Sequence, residues 1–231
     1  MTFADRLALF DLDHTLLPFD SDHLWADFLA RTGRAGDPQI ARQRNDELLR
    51  RYDEGTLGAQ EAADFMLGLL RLGTPQELAQ WQGEYMEEII LPGILPVARE
   101  LVARHQDRGD LCAIVTSTNA FVTRPIADAL GIRDLIATIP ECDAQGCYTG
   151  RISGTASFQA GKVLRVRAWL QELGLELESF KESWFYSDSV NDLPLLEVVD
   201  HPVATNPSPA LRELAKGRGW QILDLFADIR P

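Results

Sequence analysis

The chain has 231 residues, 45% of them apolar, which suits one large domain or a core domain carrying a sizeable insertion. A formal charge of −13, from 35 acidic against 22 basic residues, argues against a nucleic-acid or anionic-membrane partner, because phosphate surfaces attract basic proteins. No apolar run approaches the roughly 20 residues a bilayer span needs, and Met1 to Arg6 lacks the pattern of a signal peptide, so a cytoplasmic protein is expected.

The first predicted element is the apolar run Leu7-Ala8-Leu9-Phe10, read as a buried strand. It ends in Asp11-Leu12-Asp13-His14-Thr15-Leu16, which places two carboxylates two positions apart at a strand's carboxyl end, where open α/β sheets bind ligands. The alternative is plain loop capping by aspartate. From about 21 to 91 no strand is evident, and apolar residues recur at helical spacing: Leu24, Trp25, Phe28, Leu29, then Phe65, Met66, Leu69, Leu70, then Leu78, Trp81, Tyr85, Ile89. Asp37-Pro38 and Thr74-Pro75 read as helix starts with proline in the first turn. This stretch is expected to be a helical cap domain, with residues 1–20 and 92–231 forming the core. Trp25, Phe28 and Trp81 are assigned to packing within it, in preference to lining a pocket.

After Pro92-Gly93 a helix carrying Leu95, Ala98, Leu101 and Val102 leads to a strand over 111–115. Thr116-Ser117-Thr118-Asn119 follows it, a set of hydroxyls ahead of a helix over 120–130. Such a segment binds a phosphate oxygen with backbone help, or merely caps the helix. A strand over 135–139 and a hairpin over 141–152 come next; Cys142 and Cys147 flank its turn, and no further pair of soft ligands accompanies them to hold zinc. Three cysteines are also too few, and odd in number, for a disulfide framework. The helix over 161–173 opens with Lys162, at the end of a helix that disfavours a cation. A strand over 183–187 then delivers Asp188-Ser189-Val190-Asn191-Asp192 ahead of another helix, and short strands at 202–204 and 221–223 complete the series. Strands alternating with helices predict an α/β fold, a Rossmann-like and mainly parallel sheet flanked by helices, with the helical cap inserted after the first strand. Four carboxylates at two strand ends repel one another without a cation, and Mg²⁺ takes one or two carboxylates plus phosphate and water. Asp11 and Asp188 would be those carboxylates.

Taken in order, Asp11 to Thr15, Thr116, Lys162 and Asp188 to Asp192 resemble the four motifs of the haloacid dehalogenase-like (HAD) phosphatases. The cap's place between the first and second resembles subfamily IB, which includes phosphoserine phosphatases. The resemblance implies a Mg²⁺-dependent phosphatase acting on a small phosphorylated metabolite through an aspartyl-phosphate. It makes Asp11 the nucleophile and Asp13 the acid/base. Asp11, Asp13 (through its carbonyl), Asp188 and Asp192 become the metal set. Thr116, Ser117, Thr118, Lys162, Asn191 and Asp20 become the substrate contacts. Dehalogenases of the superfamily lack the second aspartate, so Asp13 favours phosphate chemistry. Asp20 stands where phosphoserine phosphatases carry a glutamate. Their substrate-carboxylate arginine has no counterpart after the segment from Asp53 to Ala59, where Asp64 falls. An amino-alcohol phosphate such as histidinol phosphate is therefore preferred to phosphoserine. Transfer to an alcohol in place of water is the other enzymatic alternative. A non-catalytic binding protein would be expected to have lost one of Asp11, Asp13, Lys162 and Asp188.

Overall fold

The structure is a computed structural model and describes residues 4–53 and 58–227. Strand β1 (Arg6–Phe10) is followed by helices α1 (Ser21–Arg31), α2 (Pro38–Asp53), α3 (Ala59–Leu69) and α4 (Pro75–Tyr85). Helix α4 continues through a π-helical turn, Met86–Ile90, into the short α5 (Leu91–Gly93), and then come α6 (Pro96–Gln106) and β2 (Leu111–Asn119). The chain proceeds through α7 (Ala120–Ala129), β3 (Asp134–Thr138), the hairpin β4 (Pro140–Cys142) and β5 (Tyr148–Ile152), α8 (Ala160–Glu172) and β6 (Glu182–Ser187). It closes with α9 (Leu193–Leu196), β7 (His201–Thr205), α10 (Pro209–Arg218) and β8 (Gln221–Leu223).

Six strands form one parallel sheet in the order β3-β2-β1-β6-β7-β8. Successive strands step outward on one side of β1 and then on the other, so the order reverses between β1 and β6. That crevice is where sheets of this type bind ligands. Asp11 and Asp188 follow the two strands that form it.

The alternation of side chains along β1 builds both layers around the sheet. Ala8 and Phe10 join one apolar cluster, with Ile114 and Val203 and with α1, α4, α6 and α7. Leu7 and Leu9 join the other, with Ala113, Phe185 and helices α8 to α10. All four are completely buried; each large one contributes about 1.5–3 kcal/mol of transfer free energy. The first cluster is continuous from the sheet into the helices that follow β1: Trp25, Phe28, Leu29, Leu78 and Tyr85 belong to it, and Trp81 packs against it.

The two expected helix starts are found: Asp37 Oδ1 accepts from the Gln39 and Ile40 amides, and Thr74 forms a reciprocal capping box with Glu77. Asp20, expected as a substrate contact, caps α1 by accepting from the His23 amide. Three features differ from expectation. Strand β2 runs four residues past Val115. The helix expected from Asn191 is a single 3₁₀ turn, Val190–Asp192, followed by the four-residue α9. Helix α10 was not foreseen, its apolar face being only Leu211, Leu214 and Ala215.

Candidate active site

Asp11 and Lys162 meet across 151 residues of sequence: the ammonium donates to Asp11 Oδ1 at 2.9 Å and to Asp192 Oδ2 at 2.7 Å. All three residues are buried. Lys162 sits at the helix end that disfavours a cation because two buried carboxylates offset its desolvation and hold its pKa above the usual lysine range. The close approach depends on Gly161, since a Cβ there would lie 2.2 Å from the Ala156 carbonyl oxygen. Asp192 Oδ2 also accepts from Ser187 Oγ at 2.7 Å, so this oxygen is committed to the lysine and the serine.

Asp11 Oδ2 accepts no hydrogen bond from the described residues. Burial pushes the Asp11 carboxyl well above the ordinary range; Lys162 opposes that, and Asp192 and Asp188 add to it. Asp188 is half-buried, and the nearest side-chain donor is Thr15 Oγ1 at 3.5 Å. Burial raises its pKa to about 6; His14 and Lys162 act against the shift and Asp192 with it. Three acids thus face one ammonium, and the two least satisfied, Asp11 and Asp188, end adjacent strands. Among the described residues no three carboxylate, imidazole or thiol side chains converge on a point. Two carboxylates with open oxygens at adjacent strand ends nevertheless suit Mg²⁺, which keeps several waters and shares a substrate phosphate.

Asp13 is held at both oxygens. The Ser21 amide donates to Oδ1 at 2.7 Å and Thr118 Oγ1 to Oδ2 at 2.8 Å. Burial, helped by the charge of Asp20, lifts its pKa to about 6 against the pull of those bonds. Thr116 is buried and its hydroxyl accepts from the Thr118 amide at 3.2 Å. Ser117 points the other way and is exposed. Capping of α7 falls to Asn119, whose Oδ1 accepts from the Val122 amide, which leaves Thr116 without that duty. Asn191 is half-exposed and receives a long bond, 3.4 Å, from Gln159. Asp20 caps α1 with one oxygen and lies close enough to raise the pKa of both Asp13 and Asp22.

Asp22 and Ser187 were missed in the sequence. Asp22 is half-buried, accepts from Asn119 Nδ2 at 3.1 Å, and is driven well above the usual carboxylate range by burial and by Asp20 and Asp13. Its one signal was an acid pair, Asp20 and Asp22, spaced like Asp11 and Asp13. Backbone strain marks the same region: His14, Gln159 and Asn206 are the non-glycine residues with positive φ among those described. His14 follows Asp13, Gln159 precedes Lys162 by three residues, and Asn206 Nδ2 binds the His14 carbonyl at 2.9 Å. The expected cap segment around 54–57 lies outside the described residues; Asp64, beyond it, is exposed and bonded to Gln60.

The sequence profile of haloacid dehalogenase-like hydrolases matches residues 8–197, which runs from β1 through the Lys162 and Asp188 segments. The chain belongs to the haloacid dehalogenase-like hydrolase family. Among its relatives, a histidinol-phosphatase of Neisseria meningitidis serogroup C is 41% identical over 95% of this chain and 98% of its own length. A phosphoserine phosphatase of Mycobacterium tuberculosis is 34% identical over 94% of this chain and 70% of its own. Among solved structures, a protein of unknown function from Bordetella pertussis Tohama I is 61% identical, with a TM-score of 0.93 over 97% of this chain and 100% of that one. A substrate-bound phosphoserine phosphatase superposes with a TM-score of 0.69 over 97% and 94% of the two chains; at 18% identity this likeness is one of fold. Among the described residues no helix is long and apolar enough to cross a membrane.

Proposed function

We propose that this HAD-family hydrolase is a Mg²⁺-dependent phosphatase that cleaves a small phosphate monoester through a phosphoaspartate at Asp11. The observation that carries the reading is the Asp11–Lys162–Asp192 arrangement, a buried carboxylate with one oxygen neutralised and the other free. Asp11 and Asp188, with the Asp13 carbonyl, would hold the metal, and Asp192 supports that set from behind by fixing Lys162. A bound Mg²⁺ supplies charge neutralisation and orientation of the phosphoryl oxygens.

In the first step the free oxygen of Asp11 bonds to phosphorus as the ester P–O bond breaks, and Asp13 gives its proton to the departing alkoxide. In the second, Asp13 takes a proton from water as its oxygen attacks phosphorus, which releases phosphate and restores Asp11. Lys162 offsets the charge on the nucleophile and the transferring group, and the Thr116 hydroxyl binds a phosphoryl oxygen. Phosphoryl transfer asks mainly for such positioning and neutralisation. Trapping tests the route: acid quenching during turnover should leave a phosphate on Asp11, and Asp11→Asn should carry none and turn over no substrate.

For the substrate we propose an amino-alcohol phosphate of the histidinol phosphate kind. Asp13, Asp20 and Asp22 crowd one side of the site, where the charge of Asp20 helps to raise the pKa of the other two, a field that favours a cationic amine. The full-length relative named histidinol-phosphatase supports the same choice, and the relative named phosphoserine phosphatase keeps phosphoserine as the second reading. Three free cysteines and an acidic surface suit a cytoplasmic enzyme of small metabolites.

A further inference from the structure

We propose that Thr118 is a positioning residue whose hydroxyl, together with the Ser21 amide, aims the Asp13 carboxyl at the leaving-group oxygen. The inference rests on the reading of Asp13 as the proton donor, and it gives Thr118 a duty different from the phosphate contact its place in the sequence suggests.

A threonine hydroxyl has one proton and two lone pairs. Thr118 gives its proton to Asp13 Oδ2 at 2.8 Å, so it has none for a phosphate oxygen. Thr116, two residues earlier, accepts from the Thr118 amide at 3.2 Å and keeps its own proton for a ligand. The two threonines therefore divide the work, one facing phosphate and the other the acid.

The backbone is shaped for this. Val115 pairs with Ile136 and Asn119 with Thr138, so β2 advances four residues while β3 advances two, and the two extra residues form a bulge spanning Thr116 to Thr118. Bulges beside active sites re-aim side chains. Here Thr116 and Thr118 are both buried while Ser117 stays exposed. Thr118 is 5% exposed, which leaves little room for water to replace its bond.

The second donor comes from a different element. Ser21 is the first residue of α1, and its amide holds Asp13 Oδ1 at 2.7 Å. Two donors on opposite oxygens fix the plane of a carboxyl that otherwise rotates about one bond, and a general acid must meet the accepting atom within hydrogen-bond reach. Asn119 Nδ2 to Asp22 Oδ1 adds a second link between the end of β2 and the first turn of α1. A purely structural tie and a positioning role therefore share the same atoms, and the test has to separate them by chemistry.

Leaving-group dependence does so. 4-Nitrophenolate departs without protonation, whereas an alkoxide needs the acid, and kcat/KM reports the first chemical step. Thr118→Val, nearly isosteric but without the proton, should lower kcat/KM for histidinol phosphate roughly tenfold to a hundredfold. The value for 4-nitrophenyl phosphate should change less than about threefold. Thr118→Ser should restore the alkyl substrate, and Thr118→Ala serves in the same comparison where the valine variant does not fold. Equal losses on both substrates, or no loss on either, would overturn the inference. Asp13→Asn is the reference: if it turns over the alkyl phosphate like the wild type, the proton-donor reading itself is wrong, whatever Thr118 does.

Discussion

Lys162 is where the charge balance of the site is decided. It is the ammonium between two buried carboxylates, and its removal leaves Asp11 and Asp192 uncompensated. Lys162→Met should therefore cost about 3–5 kcal/mol of folding free energy in addition to turnover, measurable by urea unfolding. Asp13→Asn should instead leave stability near wild type and lower kcat on an alkyl phosphate by about 10²–10⁴-fold. Acidity offers a separate check on the metal set. In metal-free protein burial holds Asp13 and Asp188 at about 6, above the ~3.9 of an unfolded aspartate. Between those values the folded chain binds more protons than the unfolded one, so their contribution to stability falls as pH rises through that window. Buried His105, its pKa lowered chiefly by desolvation, acts in the opposite sense. The comparison is consequently between proteins: in EDTA, Asp188→Asn should gain melting temperature over wild type at pH 7.5 and gain distinctly less at pH 5, which lies inside the window. Asp11, Asp13, Lys162 and Asp188 were legible because each ends a strand or opens a helix in a fixed order. Asp22 and Ser187 were not, since an aspartate in a helix's first turn and a serine closing a strand each have an ordinary local explanation that the sequence alone does not defeat.

At the scale of elements, the chain's periodicities carried most of the architecture. The continuous apolar run of β1, the Thr74-Pro75 start and the turn around Asp143, whose carboxylate accepts from the Gln145 and Cys147 amides, all fold as their chemistry dictates. The extension of β2 was illegible because polar hydroxyl residues continue the strand only through contacts made elsewhere: Thr118 to Asp13 and Asn119 to Asp22. Helix α10 was overlooked although the sequence signals it, with Ser208 capping its start, proline in its first turn and Gly219 closing it in the left-handed conformation. Two substitutions measure what holds the elements. Thr74→Ala removes the capping box and should cost about 1 kcal/mol with activity unchanged. Gly161→Ala forces a Cβ onto the Ala156 carbonyl. It should cost about 1–3 kcal/mol and depress kcat as well, because the displaced residue is the neighbour of Lys162; thermal melting and steady-state kinetics together would separate the two effects.

For the molecule as a whole, the sheet gathers the residues of the proposed reaction, and the helices after β1 bring further acids beside them. The order reversal between β1 and β6 collects Asp11, Lys162 and Asp188 in one crevice. The first turn of α1 then carries Asp20 and Asp22 to its rim, fastened to β2 through Asp13 and Asn119. A net charge of −13 repels anionic substrates at long range, so an amine on the substrate and a divalent cation in the site both favour encounter. Phosphate release from histidinol phosphate by the purified protein, with Mg²⁺ and with EDTA, bears on all of this at once. The account predicts steady release that requires Mg²⁺ and exceeds that from phosphoserine. A clear preference for phosphoserine would contradict the substrate assignment, and no Mg²⁺-dependent release from either compound or from other phosphate monoesters would contradict the phosphatase itself.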